Sequence, residues 1–162
     1  MNKMNTRSMV EGDIDTVMAI AASLPYAPQW ARAAYEIALD PETLPQRTAF
    51  VVELEGKVIG YTIASLVASQ ADLETIAVSP HFQRSKAGST LFDCLVRELE
   101  AQGISEIVLE VRESNATARA FYLSHSFVAE AKRKCYYADT GEDAVLMRAL
   151  LPLKQNKMTW RK

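Results

Sequence analysis

The stretch from Ala71 to Val111, ADLETIAVSPHFQRSKAGSTLFDCLVRELEAQGISEIVLEV, limits the possible folds more than any other part of the chain. Its first run, ADLETIAVS, reads as a strand ended by Pro80, which has no N–H to give a ladder. Leu91, Phe92, Leu95, Val96 and Leu99 then recur at helical spacing and form a broad apolar face. Gly103 supplies a C-terminal cap, and the β-branched ISEIVLEV follows. Strand 71–79, helix 87–102 and strand 104–111 in succession predict a right-handed crossover with its two strands parallel.

The flanking segments extend this unit. Residues 3–9 predict a short edge strand, and EGDIDTVMAIAASL predicts a helix capped by Asp13 or Gly12. QWARAAYEIALD predicts a second helix that stops before Pro41. TAFVVEL and KVIGYTIASLV flank Glu55-Gly56, an acidic-Gly hairpin turn. After the crossover come a helix in SNATARAFYLSH, capped by Ser114 or Asn115, and strands in FVAEAKRKCYY and EDAVLMRAL. Antiparallel strands followed by this alternation predict an α+β sheet with helices on both faces.

Composition narrows the class of activity. The 162 residues suit one domain, 1–151, followed by a basic tail, 152–162, carrying Lys154, Lys157, Arg161 and Lys162. A net charge of −2 argues against a general nucleic-acid partner. No run reaches the roughly 20 apolar residues of a membrane span, and the N-terminus lacks the apolar core of a signal peptide. Cys94 lies in a helical pattern and Cys135 in a strand pattern, which predicts two reduced, buried thiols in a cytoplasmic protein. No Cys/His/Asp spacing suggests a metal site.

Chemistry is expected first in SPHFQRSKAG, residues 79–88. A strand ending at Ser79, a tight loop and a helix starting near Ala87 expose backbone N–H groups at a helix N-terminus. Those donors and the positive end of the helix dipole make an anion site that suits a pyrophosphate. Many strand-to-helix turns carry Gly and Ser and bind nothing, so the loop alone identifies no activity. Within ISEIVLEV, alternation puts Glu110 on one face with Val108, opposite Ile107, Leu109 and Val111. A charged residue inside so apolar a strand needs a reason. Tyr122 lies seven positions after Asn115, nearly two helical turns, so the two face the same side.

Read together, LETIAVSPHFQR with the loop after it, LEVRESNATARAFY, and YYADTGEDAVLM resemble the GNAT family of acetyl-CoA-dependent N-acetyltransferases. Within that family they are most similar to the RimI-type branch, which acetylates the N-terminal alanine of a ribosomal protein. The likeness covers roughly residues 5–150. It implies the GNAT fold: a mixed, mostly antiparallel twisted sheet whose central parallel strands splay to admit the co-substrate. It implies that Ile76, Ala77 and Val78 run beside the pantetheine of acetyl-CoA. Arg84, Ser85, Lys86, Ala87, Gly88 and Ser89 would wrap its pyrophosphate, and Asn115 would contact it near the next helix. Glu110 matches the family's general base and Tyr122 its general acid. The assignments make chemical sense. An α-amine of pKa about 8 must lose a proton before it attacks a thioester, and the departing thiolate must gain one.

Two family glycines are missing: Lys86 stands for one in the loop and Ser126 for the one that ends the helix after Tyr122. If position 86 needs a positive φ, lysine there costs roughly 1–2 kcal/mol, offset in part by a cation beside a polyanion. His81 is expected on the surface, and His125 at a partly buried helix end. The resemblance implies a protein N-terminus, ribosomal in kind, as acceptor. A small amine, or a catalytically silent CoA-binding module, are the competing readings. Acceptor choice is expected to lie in the helices at 13–40, where Tyr26 and Trp30 can line a pocket, and in the loop before Thr48.

Overall fold

The computed structural model describes residues 3–153, and the chain divides into two compact units, one through Ile104 and one from Ser105. The first unit contains strands β1 (Met4–Ser8), β2 (Gln46–Leu54), β3 (Lys57–Val67) and β4 (Gln70–Val78). Each pairs antiparallel with the next. Its helices are α1 (Ile14–Ala22), α2 (Arg32–Leu39) and α3 (Ala87–Ala101). The second unit contains β5 (Glu106–Arg112), α4 (Ala116–Ser124), β6 (Val128–Tyr137) and β7 (Glu142–Leu150), with β7 antiparallel to both β5 and β6.

In the first unit the period-2 pattern of the strands sorts side chains to two faces. Val51, Tyr61, Ile63 and Ala77 join Ile14, Val17, Ile20 and Tyr35 in a core beneath α1 and α2. The adjacent Val52, with Ile59, packs instead against Ala87 and Leu91 of α3, where Ile76, Val78 and Phe82 are partly buried. Helices therefore cover both faces, as the sequence pattern predicts. The α3 face is the predicted one: Leu91, Phe92, Leu95, Val96 and Leu99 are all buried.

Glu55 and Gly56 have φ of 52° and 77°, both positive, as a tight two-residue hairpin turn requires. Gly60 has a different role. A Cβ there would lie 2.8 Å from the Ala77 carbonyl oxygen, so only glycine lets β3 lie this close to β4. In the second unit Ile107, Leu109 and Val111 are buried and pair with the buried Ala149, Met147 and Val145.

Three local expectations change. Asp13 stands at the N-cap of α1, as expected, but its side chain makes no cap bond there. Its carboxylate accepts the Val10 N–H and a two-pronged bond from Arg7, at 2.8 Å to each oxygen, tying the chain after β1 to the strand itself. The second helix starts at Arg32, leaving Trp30 in the connection before it. Cys135 is exposed rather than buried, because β6 is exposed along nearly its whole length, and Cys94 is half-buried. Among the described residues no helix is long and apolar enough to cross a membrane. Most of the expected tail, from residue 154 onward, lies outside the described residues.

Candidate active site

In the first unit β4 runs directly into the expected anion loop. A short 3-10 turn, Pro80–Phe82, follows Ser79, whose N–H is held by the Ile59 carbonyl at 2.8 Å. The Gln83 side-chain amide donates to the Val78 carbonyl at 3.2 Å, and the Ser85 hydroxyl donates to the Phe82 carbonyl. These bonds fold the loop back onto the end of its own strand. Lys86 answers the question its sequence raises: its φ is 70°, in the left-handed region where the absent glycine would be at ease. Arg84 shares the feature at 65°, which no sequence signal announces. Left-handed residues at alternate positions are a feature of main-chain nests, in which successive N–H groups can converge on an anion. The first intrahelical bond of α3 runs from Thr90 N–H to the Lys86 carbonyl at 2.9 Å, and the Thr90 hydroxyl takes the same oxygen at 2.8 Å. Ile76, Ala77, Val78 and the segment Arg84–Ser89 are therefore consecutive parts of one strand–nest–helix unit. Its donors are main-chain amides with two cationic side chains, Arg84 and Lys86, and that donor set fits a pyrophosphate.

The second unit carries the expected chemical groups. Glu110 lies on the solvent side of β5, between the buried Leu109 and Val111, as alternation predicts. Two residues of β6 hold its carboxylate. Arg133 Nε lies 3.4 Å from Oε1, and the Tyr136 hydroxyl bonds to it, which raises the Tyr136 pKa above its usual value. Tyr136 reaches this place because β6 is irregular between Arg133 and Tyr137: those two residues face Ala144 and Glu142, so β6 spends two more residues than β7. Cys135, with φ of 52°, sits inside that irregularity. Arg112 stacks over the Tyr137 ring at 4.0 Å and pairs with Asp139 at 3.0 Å, closing the turn after β6. Sequence reading gave Arg133, Tyr136 and Arg112 no role. The doubled tyrosine before an acidic turn was the available signal.

Asn115 is the cap of α4, its Oδ1 accepting the Ala118 N–H at 3.2 Å. That bond occupies the carbonyl end and leaves the NH2 end as the group able to meet a ligand. Tyr122 lies near the other end of the same helix, about 10 Å along the axis at 1.5 Å per residue, so the two are not brought into contact. Tyr122 is 9% exposed and packs edge-on to Phe121 and against Phe127, with ring centroids 5.6 and 5.4 Å away. Burial, helped by the neighbouring Tyr137, raises its pKa above the ordinary phenol value. A phenol so placed keeps its proton throughout the neutral range and can give it up only to a strong base. Ser126, just beyond α4, has φ of 72°, the conformation its missing glycine would favour. His125 ends the helix half-buried, Nδ1 2.8 Å from the Phe121 carbonyl, and His81 is exposed.

A family model described as Acetyltransferase (GNAT) family matches residues 16–127. The chain belongs to the GNAT acetyltransferase family. It is therefore an acetyl-CoA-dependent N-acetyltransferase by family. This GNAT chain is 40% identical over 100 residues to the [ribosomal protein bS18]-alanine N-acetyltransferase of Escherichia coli (strain K12), covering 60% of this chain and 68% of that protein. A Bacillus subtilis (strain 168) protein, named as a candidate for the same activity, is 32% identical over 145 residues, or 90% of this chain and 94% of its own. Among solved structures, the ribosomal-protein-S18-alanine N-acetyltransferase from Escherichia coli superposes with a TM-score of 0.82 at 28% identity, covering 96% and 99% of the two chains. The expected fold class, α+β with a mixed and mostly antiparallel sheet of the GNAT type, is the one this likeness shows.

Proposed function

We propose that this GNAT enzyme transfers the acetyl group of acetyl-CoA to the N-terminal α-amine of a protein, with an Ala-initiated, ribosomal-type N-terminus as the preferred acceptor. Glu110 carries the reading: a carboxylate on the open face of β5, steadied by Tyr136 and Arg133, suits a base for an ammonium. The likeness to relatives named for alanine N-acetylation, along 90% of the chain in one case, supports the choice of acceptor. Acetyl-CoA supplies the thioester. The Ile76–Val78 strand and the Arg84–Ser89 nest bind its pantetheine and pyrophosphate, and the Asn115 side-chain NH2 adds a contact. Glu110, through a water, takes a proton from the acceptor ammonium. The freed amine attacks the acetyl carbonyl directly in a ternary complex, and the C–S bond breaks. Tyr122, protonated at neutral pH, gives its proton to the departing sulfur; the second proton of the attacking nitrogen leaves to solvent, and solvent returns one to Tyr122, so amide and CoA thiol are the products. The reaction belongs in the cytoplasm, where newly made N-termini and acetyl-CoA meet.

The test compares kcat/KM for an Ala-initiated peptide with that for a panel of polyamines, amino acids and small drug-like amines. The peptide should lead by at least about tenfold, a difference of about 1.4 kcal/mol in transition-state binding. A small amine that outperforms it would move the enzyme to another acceptor class. Binding of CoA with no transfer to any amine would leave only a CoA-binding module.

A further inference from the structure

We propose that Arg112 is a positioning residue that holds Glu110 in its working place, acting through Tyr137 and Tyr136; the inference rests on the reading of Glu110 as the base. Every group involved belongs to the second unit. Glu110 and Arg112 stand two residues apart on one face of β5, with the buried Val111 between them turned the other way. Their partners on β7 are Leu146 and Ala144, yet neither side chain stops there. Both reach across β7 to groups on β6 and the turn after it, a span of two strand spacings or about 10 Å. Ala144, opposite Arg112, is small and buried, so its side chain does not block that path.

From the guanidinium a chain of contacts leads back to the base. Arg112 Cζ lies 4.0 Å from the centroid of the Tyr137 ring. Tyr137 meets Tyr136 edge-on, with ring centroids 5.1 Å apart and planes at 89°. The Tyr136 hydroxyl in turn bonds the Glu110 carboxylate. Arg112, Tyr137, Tyr136 and Glu110 thus close a ring of contacts that begins and ends on β5.

The other edge of the guanidinium is pinned by polar groups. Nη2 donates to Asp139 Oδ2 at 3.0 Å, and Nη1 donates to Asp139 Oδ1 at 3.2 Å and to Thr140 Oγ1 at 3.3 Å. Glu142 Oε2 lies 3.6 Å from Nη1. Two carboxylates already meet this cation, which marks its work as holding the turn rather than pairing with Glu110. Such a hold is needed because Tyr136 sits where the register of β6 with β7 breaks, between Arg133 and Tyr137. The main chain there is tied to β7 through the Cys135 N–H, which donates to the Asp143 side chain at 2.9 Å. A strand that has left its ladder keeps a side chain aimed only if a neighbouring residue is fixed. Tyr137, under Arg112, is that neighbour. A planar fork that stacks on a ring and grips a carboxylate at once is a property of arginine that lysine lacks.

The experiment measures kcat, the acetyl-CoA dissociation constant and a thermal melt for wild type, Arg112→Gln, Arg112→Lys, Asp139→Asn, Glu110→Gln and the double variant at 110 and 112. The acceptor is an Ala-initiated peptide, or the most reactive amine of the panel above if wild type leaves the peptide untouched. Arg112→Gln should lower kcat about tenfold while the acetyl-CoA dissociation constant stays within about twofold. Arg112→Lys should recover little of the loss. Added to Glu110→Gln, the same change should lower kcat by less than about twofold further, because the group it positions is gone. Asp139→Asn, at an exposed carboxylate, should cost about threefold, and it carries the test if Arg112→Gln fails to fold. A merely structural clamp would lower the melting temperature and cost the same factor with or without Glu110. That result, or wild-type kcat in the variants at 112 and 139 that fold, would overturn the proposal. Wild-type kcat in Glu110→Gln would overturn the reading of Glu110 as base and this proposal together, whereas a slow Glu110→Gln beside indifferent Arg112 variants overturns this proposal alone.

Discussion

Lys86 and Ser126 hold backbone conformations, φ of 70° and 72°, in which an L side chain is strained by about 1–2 kcal/mol. Ser126→Gly should raise the unfolding free energy by up to about 1 kcal/mol in a denaturant titration, the relief of the folded conformation outweighing the freedom glycine adds to the unfolded chain. Lys86→Gly should do the same, yet raise the acetyl-CoA KM severalfold, since in the proposed binding mode it removes a cation beside the phosphates. Stability and KM moving in opposite senses is the signature; Lys86→Ala should raise KM without gaining stability. At Glu110 the expectation is chemical. Glu110→Gln should lower kcat by about a hundredfold or more while the acetyl-CoA dissociation constant stays unchanged, read by single-turnover kinetics and calorimetry. Asp13 carries a pH effect on folding. Its hydrogen bonds from Arg7 hold its pKa below the usual carboxylate value, against the opposing effect of burial. The bond to Arg7 therefore adds stability above the unfolded-state pKa of about 4, lost as pH falls through the lower folded value. Asp13→Asn should flatten that acid limb in melts between pH 3 and pH 6.

At the scale of elements, the strand that carries the pantetheine assignment depends on its neighbour. Gly60 of β3 lies under β4 with the Ala77 carbonyl 2.8 Å from where a Cβ would stand, and Val52 and Leu91 3.1 and 3.2 Å away. Gly60→Ala must push β4 outward, so it should destabilise the protein by about 1–3 kcal/mol and raise the acetyl-CoA KM. Gly12→Ala, where a Cβ meets nothing within 4 Å, is the matched control. The order and type of the strands and helices were legible in the sequence, because Leu91 to Leu99 and Ile107 to Val111 keep clean 3.6 and 2.0 periods. Glu110, Asn115 and Tyr122 were legible as candidates for the same reason, since their motifs are continuous in sequence. What escaped was long-range or irregular. The Asp13 side chain meets Arg7 rather than the first turn of α1, Arg84 adopts a positive φ without glycine, and the β6 irregularity brings Tyr136 to Glu110. None of these leaves a periodic trace, since each depends on which strands pair and where a register slips.

The whole molecule is a GNAT acetyltransferase. The Tyr122 phenol, raised by burial, should not ionise below about pH 10. Loss of the Tyr122 proton should therefore cause no fall in kcat below about pH 10. The central claim concerns the acceptor, and mass spectrometry of protein N-termini from otherwise identical cells, with and without this chain, tests it most directly. The account predicts that at least one Ala-initiated N-terminus, of a ribosomal protein, is acetylated only when the chain is present and stays unmodified when Glu110→Gln replaces it. An unchanged set of acetylated N-termini would contradict it.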